Sequence, residues 1–477
     1  MKFYLAGQWQ DRSDVIEVVN PYDGQVVDTV PRATADDVES ALVAATAGAK
    51  VMAQLPAYER FKILRQATDL MRARTEDLAQ TISREEGKTL AEARGEVSRS
   101  AQTLELSGEE AKRLSGEVLP LEGGEGVVNK LGFTLRVPCG VVAAITPFNF
   151  PLNLVCHKVG PAIAAGNAVI LKPASDTPLV AMKLVEILLE AGLPSLAISC
   201  ITGGGREIGE TLCRDPRVRK ISFTGSTRVG KLLMDGASRT VTKLALEMGG
   251  NAPVLIFPDV DVEEVAKTAV GSKYRNNGQV CIAPQRFYVH SRIAEEFIDH
   301  ATRFSQGLCM GSGLEPATDV GPLINAIQRE RLEQMVTEAT HQGAEVLTGG
   351  ARPEDFPRGY FYKPTVMVNL KPDMAVYREE LFGPVMPIIP FADPDEAIAL
   401  ANGLEAGLAA YVQTRDLATA IHAYEKLDYG MVGINEWMPV TPEAPFGGMK
   451  ASGIGRESGT EGMHEYLESK AVYIGGL

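Results

Sequence analysis

Between residues 141 and 223 the chain repeats one unit, a short apolar run followed by a stretch of helical periodicity. The runs lie at 141–145, 168–171, 197–201 and 220–223, and the helical stretches at 152–165, 178–191 and 206–213. Strands that are apolar on both faces and joined by helices fit a parallel sheet covered on both sides. A second alternation starts at 252–257 with a helix over 262–275. It continues through 287–290, 294–304, 346–348, 417–427 and 431–434. The fold class is therefore α/β with two doubly wound parallel-sheet domains, which a length of 477 residues accommodates.

Other segments depart from that rhythm. Helical patterns at 57–86 and 89–111 make a helix-rich N-terminal part, and residues 117–137 alternate between glycines in the manner of an extended ribbon. Near the C-terminus, Ala471-Val472-Tyr473-Ile474 reads as a strand that needs a partner, since an unpaired edge invites association. The net charge of −14 removes long-range attraction for polyanions, so no nucleic-acid partner is expected. No run of about 18 apolar residues occurs and polar residues follow Met1 too soon for a signal segment, so no membrane partner and a cytoplasmic location are expected. The six cysteines lack paired spacing and the six histidines are dispersed, which predicts reduced thiols and no metal site.

Certain residues stand out chemically. Phe223-Thr224-Gly225-Ser226 forms a glycine turn between a strand and a helix, where backbone N–H groups suit a pyrophosphate. The run to Gly230-Lys231 nearly matches a phosphate-binding P-loop, but Leu232 stands where Ser or Thr would hold magnesium. Gly278-Gln279-Val280-Cys281 places a thiol beside a glycine near a helix end, a setting expected to lower its pKa. Glu247, at a strand end before Gly249-Gly250, is a candidate base or a solvated turn residue. Asn149 lies in the proline-bounded turn Pro147-Phe148-Asn149-Phe150-Pro151, and Glu379-Glu380 runs into Leu381-Phe382-Gly383-Pro384.

Together with Leu171-Lys172-Pro173 and Pro445-Phe446-Gly447-Gly448, these motifs resemble, in order and over essentially the whole chain, the NAD(P)-dependent aldehyde dehydrogenase superfamily. The resemblance implies a cofactor domain (1–116 and 137–247), a catalytic domain (248–446) and a β-ribbon oligomerisation element (117–136 and 447–477). It implies a homodimer or homotetramer in which ribbon and tail pair across subunits. Cys281 would be the nucleophile, Asn149 with the Cys281 N–H the oxyanion donors, and Glu247 the general base. Lys158 and Glu457 resemble a proton-relay pair. The cofactor would be held by Ile145, Thr146, Pro147, Phe148, Lys172, Ser175, Gly205, Gly209, Phe223, Gly225, Ser226, Glu380 and Phe382.

Two departures bear on specificity. NAD-preferring members commonly carry Glu where this chain has Ser175, so both NAD and NADP are expected with a lean to NADP, unless Asp176 turns inward. Arg275 resembles the succinate-semialdehyde branch, in which an arginine at this place holds the distal carboxylate. That branch usually has a second arginine where this chain has His157, and Thr441 would supply a hydroxyl. The expected substrate is a small aldehyde with an anionic tail. Lactaldehyde, glycolaldehyde or a sulfonated short aldehyde is the alternative. Coenzyme A acylation is disfavoured by Glu247, and a nucleotide-binding protein without turnover is disfavoured by Cys281, Glu247 and Asn149 together.

Overall fold

In the computed structural model, which describes residues 1–127 and 129–476, the first alternation builds an eight-stranded sheet. Its inner strands Ile198–Cys200, Ala168–Lys172, Val141–Ile145, Val218–Gly225 and Lys243–Met248 are parallel neighbours in that order. Strand order reverses between Val141–Ile145 and Val218–Gly225, the switch point beyond which such sheets bind ligands. Every residue of Ala168–Lys172 is buried, as a sheet covered on both faces requires. Antiparallel edges close the sheet: Phe3–Leu5 with Gln8–Gln10 on one side, and Gly453–Ile454, expected with the tail, on the other.

The second alternation gives a seven-stranded sheet in the order Glu345–Thr348, Thr365–Val368, Val385–Phe391, Pro284–His290, Ala252–Ile256, Ala409–Gln413 and Met431–Ile434. All its pairings are parallel except the first. Val254, Ile256, Phe287 and Val289 pack into one core and Leu255, Phe257 and Tyr288 into another, the period-two division of a sheet buried on both faces. Thr365–Val368, Val385–Phe391 and Ala409–Gln413 were not distinguished in the sequence. Pro387 and Pro390 interrupt the second of these, and Ala409-Ala410 lends the third little β character.

The helix expected over 57–86 is two helices, Ala57–Ala73 and Thr75–Glu86. At the break the Thr75 hydroxyl donates to the Arg72 carbonyl at 2.8 Å, a local bond that competes with the helical ladder. Leu90–Ala111 begins at a reciprocal cap, in which Thr89 Oγ1 accepts from the Glu92 N–H and the Glu92 carboxylate accepts from the Thr89 N–H.

The tail strand finds a partner within its own chain. Leu467–Gly475 pairs antiparallel with Lys130–Pro138 of its own chain through nine residues, and Val118–Leu119 lies on the other side of Lys130–Pro138. Pairing within the chain satisfies one edge of the tail, while its other edge has no strand neighbour among the described residues. No helix among them is long and apolar enough to cross a membrane.

Candidate active site

The turn carrying Asn149 rests on a buried ion pair. Lys88 Nζ donates to Glu96 Oε2 and to the Asn149 carbonyl, each at 2.7 Å. Glu96 Oε1 accepts from the Leu152 and Asn153 N–H groups at 2.9 and 3.1 Å, at the start of helix Asn153–Ala165, where a negative charge also meets the positive helix end. The charge of Glu96 is thus compensated and its oxygens are occupied, the condition under which a buried pair holds a geometry. From this turn Asn149 Nδ2 donates to the Gln279 carbonyl at 2.9 Å, and Asn276 Nδ2 returns a bond to the Asn149 carbonyl at 3.0 Å. One N–H of the Asn149 amide remains beyond its bond to Gln279.

Those bonds tie Asn149 to the loop of Cys281. After helix Val262–Tyr274 and its C-cap Arg275 come three consecutive left-handed residues, Asn276, Asn277 and Gly278, with φ of 48°, 54° and 74°. Asn tolerates this region better than most side chains, whereas at Gly278 a Cβ would stand 2.2 Å from the Gly383 carbonyl. The reversal sets Cys281 just before strand Pro284–His290, half-buried at the edge of a cleft.

The expected activation of the thiol is overturned. Burial pushes the Cys281 thiol up to about 12, the Glu380 and Glu247 carboxylates add to the rise, and Arg275 with the Ile282 N–H offsets only part of it. Cys281 therefore rests as a thiol and needs a base.

Glu247 is no solvated turn residue. It lies inside strand Lys243–Met248, is 2% exposed, and neither carboxylate oxygen has a hydrogen-bond partner. Burial raises its pKa well above the usual range, Glu457 raises it further, and Lys158 and Arg456 oppose. Glu247 is thus within electrostatic reach of both Cys281 and Glu457.

Lys158 and Glu457 are both buried and form a salt bridge; Lys158 Nζ also donates to Thr224 Oγ1 at 2.6 Å. Burial alone would raise the Glu457 carboxyl, but the Lys158 ammonium and the His157 contact carry it below its usual value. His157 Nδ1 lies 3.2 Å from Glu457 Oε2, and its Nε2 lies 3.3 Å from Asn153 Nδ2, so both ring nitrogens are engaged.

Cys281, Arg275, His157, Phe150 and Phe446 line a cleft of about 480 Å³. Among the described residues the Arg275 guanidinium makes no hydrogen bond to the preceding helix, its Nη1 lying against the Met438 sulfur. Thr441 is not brought into the cleft. It is exposed, and its neighbours Met438 and Val440 line the wall in its place. Lys88, Glu96 and Arg99, which also lines the cleft, were not singled out in the sequence. Their only signal was position, on or beside the helical stretch 89–111, with nothing to name their partners.

The other face of the site is the carboxyl edge of the first sheet. Ile145 and Lys172 are paired neighbours there, Phe223 pairs with Ile145, and Gly225 ends the next strand. Pro147 and Phe148 follow in the adjoining turn, and the Phe148 ring meets Phe382, itself left-handed at φ 50°, edge-on at 5.7 Å. Gly205 and Gly209 lie on helix Gly205–Arg214, with Gly205 facing Lys172 Nζ. Ser226 caps helix Thr227–Ala237, accepting from the Val229 N–H. Glu380 Oε1 accepts from the Gly250 N–H at 3.2 Å, and burial pushes its carboxyl up to about 7.

Two features of this edge fit an anionic dinucleotide. Among the described residues Lys172 is buried with no ion-pair partner, its ammonium bonded only to the neighbouring Pro173 carbonyl, and the Thr146 hydroxyl is buried without any partner. Both stand at strand ends beside the switch point, where a polar ligand would satisfy them. Ser175 Oγ donates to the Gly203 carbonyl, and Asp176 is exposed and accepts from Asn325 Nδ2 at 3.5 Å.

Comparison with known proteins agrees with this geometry. Residues 9–472 match the model of the Aldehyde dehydrogenase family. The chain is 41% identical over 476 residues to a mitochondrial succinate-semialdehyde dehydrogenase of Oryza sativa subsp. japonica, covering 99% of this chain and 89% of that one. It is 40% identical to a 3-sulfolactaldehyde dehydrogenase of Priestia aryabhattai, over 99% of this chain and 97% of the other. A crystal structure described as an E. coli NADP dependent enzyme superposes with a TM-score of 0.96 at 39% identity, covering 99% of this chain and 98% of that one. The chain belongs to the aldehyde dehydrogenase family and is an NAD(P)-dependent aldehyde dehydrogenase.

Proposed function

We propose that the protein oxidises a short aldehyde with an anionic tail, succinate semialdehyde or a close analogue, to the carboxylic acid, with NADP favoured over NAD. The observation that carries the substrate class is Arg275: its guanidinium faces the cleft of Cys281 and has no acidic partner among the described residues. The named substrates of the two relatives, a semialdehyde acid and a sulfonated aldehyde, are of the same class.

The residues divide the work as follows. Glu247 takes the Cys281 proton, and the sulfur bonds to the aldehyde carbon. The remaining Asn149 N–H and the Cys281 N–H hold the oxygen as it becomes an oxyanion. A bound nicotinamide dinucleotide supplies the hydride acceptor, held by Lys172, Glu380, Thr146, Gly225, Ser226 and Phe382, with Ser175 in place of a carboxylate that would repel a 2′-phosphate. Asp176, turned outward to Asn325, leaves that allowance intact. The acyl group left on Cys281 is then attacked by water. Glu247, having released the Cys281 proton to solvent, takes a proton from the water as its oxygen bonds to the acyl carbon; the C–S bond then breaks, the proton passes from Glu247 to the leaving sulfur, and the thiol and the acid are released. The Lys158–Glu457 pair holds the relay position behind Glu247.

Residues 1–116 and 137–247 serve as the cofactor domain and 248–446 as the catalytic domain. Ribbon and tail form the contact surface of a homodimer or homotetramer, through the edge of the tail that has no strand neighbour among the described residues.

The test is initial rates of reduced-cofactor formation with succinate semialdehyde, 3-sulfolactaldehyde, lactaldehyde, butanal and benzaldehyde, each with NADP and NAD. A kcat/KM highest for the anionic aldehydes, and reduced mainly for them by Arg275→Ala, supports the reading. Equal or higher values for butanal would remove the anionic-tail assignment.

A further inference from the structure

Arg99 projects from helix Leu90–Ala111 into the same cleft as Arg275 and Cys281. The centre of its guanidinium lies 6.0 Å from the centroid of the Phe150 ring, and that of Arg275 lies 5.8 Å from it. Two arginines from elements far apart in the chain thus converge on one aromatic ring beside the nucleophile.

Neither charge is neutralised by the protein. No salt bridge involves Arg99 or Arg275 among the described residues, and the Arg99 guanidinium has no hydrogen-bond acceptor there. The nearby carboxylates are committed elsewhere. Glu92 accepts from the Thr89 and Asn276 N–H groups, and Glu96 from Lys88 and from the Leu152 and Asn153 N–H groups. Burial lowers the Arg99 pKa and the like charge of Arg275 lowers it further, while Glu96 and Glu92 oppose without bonding the guanidinium, so the two guanidiniums are close enough to disfavour one another. Like charges held together in a cleft with no carboxylate bonded to either form a site for an anion, whose arrival relieves both the repulsion and the unmet donors.

We propose that Arg99 is a specificity-determining residue, the second arm of an anion clamp that grips the tail of the aldehyde together with Arg275. The inference rests on the anionic-tail reading above and goes beyond it by naming the residue that replaces the missing arginine at His157. That ring is occupied by Glu457 and Asn153 and is not free to serve as the arm. The clamp thus draws its second charge from a different helix, and the tail is held against the Phe150 side of the cleft.

The test uses the full chain with NADP and compares succinate semialdehyde with butanal, which lacks the charge, for wild type, Arg275→Ala, Arg99→Gln and the double variant. The expected result is a fall of about 10- to 100-fold in the ratio of kcat/KM for the two aldehydes on Arg99→Gln, expressed chiefly as a higher KM for the anion. The double variant should lose less than the product of the single losses, because both arms hold one group. A wild type that prefers the anion, an Arg275→Ala variant that loses the preference and an Arg99→Gln variant that keeps it would overturn the clamp and leave the anionic-tail reading intact. A wild type without preference would overturn both. Should Arg99→Gln melt below the assay temperature, Arg99→Met keeps the aliphatic stem and is held to the same thresholds. An equilibrium readout accompanies the rates: succinate should protect Cys281 from iodoacetamide in wild type, and about 10-fold more succinate should be needed in the Arg99 variant.

Discussion

On the inner side of the cleft Lys88 faces Glu96 and Lys158 faces Glu457, with no side chain of the four more than 1% exposed. On the outer side Arg99 and Arg275 are half-buried and neither forms a salt bridge among the described residues. The inner charges are spent on the protein itself, fixing the Asn149 turn and the first turn of the helix that carries Lys158. The outer charges are spent on nothing the chain contains. A buried charge without a partner is costly, so a fold keeps one chiefly where a ligand completes it. Pairing therefore separates the charges that position the site from those that read the substrate.

Glu247 stands across this division, since it is buried among the inner charges yet neither of its oxygens is bonded. The largest expected effect is there. If Glu247 is the base for thioester hydrolysis, Glu247→Gln lowers steady-state turnover by about 10²- to 10⁴-fold. The same substitution removes a negative neighbour of Cys281, so its thiol should ionise at lower pH. Iodoacetamide alkylation separates the two consequences. In wild type, with the thiol pushed up to about 12, the alkylation rate should climb with pH and show no plateau below about pH 10. In Glu247→Gln the curve should move toward lower pH while turnover falls. A wild-type plateau near pH 8.5 would show an unperturbed thiol and would remove the need for a base.

The next effect sharpens the comparison itself. Lys158→Met leaves Glu457 buried beside Glu247 without its cation, and should cost about 3–5 kcal/mol of stability in denaturant melts. Lys158→Met combined with Glu457→Leu should recover most of that loss, because no lone charge remains. A double variant as unstable as the single one would mean that the pair carries stability of its own, beyond compensating each other's burial.

What the sequence disclosed follows the same line. Residues whose surroundings are written into adjacent positions were legible: Asn149 between Pro147 and Pro151, Cys281 after Gly278, and Glu247 before Gly249-Gly250. The parallel strands were legible where they are uniformly apolar, as at Ala168–Lys172, and missed where prolines break the pattern, as at Val385–Phe391. Lys88, Glu96 and Arg99 were not legible, because their meaning lies in partners that only the fold supplies, such as the 149–153 turn for Glu96 and Phe150 for Arg99. The pKa of Cys281 was misjudged for a related reason. The neighbouring helix end is visible in the sequence, whereas burial and the approach of Glu380 and Glu247 are not.

The smallest effect falls on the outer side. Arg275 contributes no ion pair to the fold, and its charge opposes that of Arg99. Arg275→Ala should therefore change stability by less than about 1 kcal/mol in the same melts that register the loss of Lys158, even as it alters substrate preference. The contrast is informative because both residues are long cations near Cys281, and they differ in whether a carboxylate among the described residues forms a salt bridge with them. A loss of several kcal/mol on removing Arg275 would mean that its packing against Phe150 and Met438 is structural. The guanidinium would then belong with the inner charges, and Arg99 alone would remain to recognise an anion.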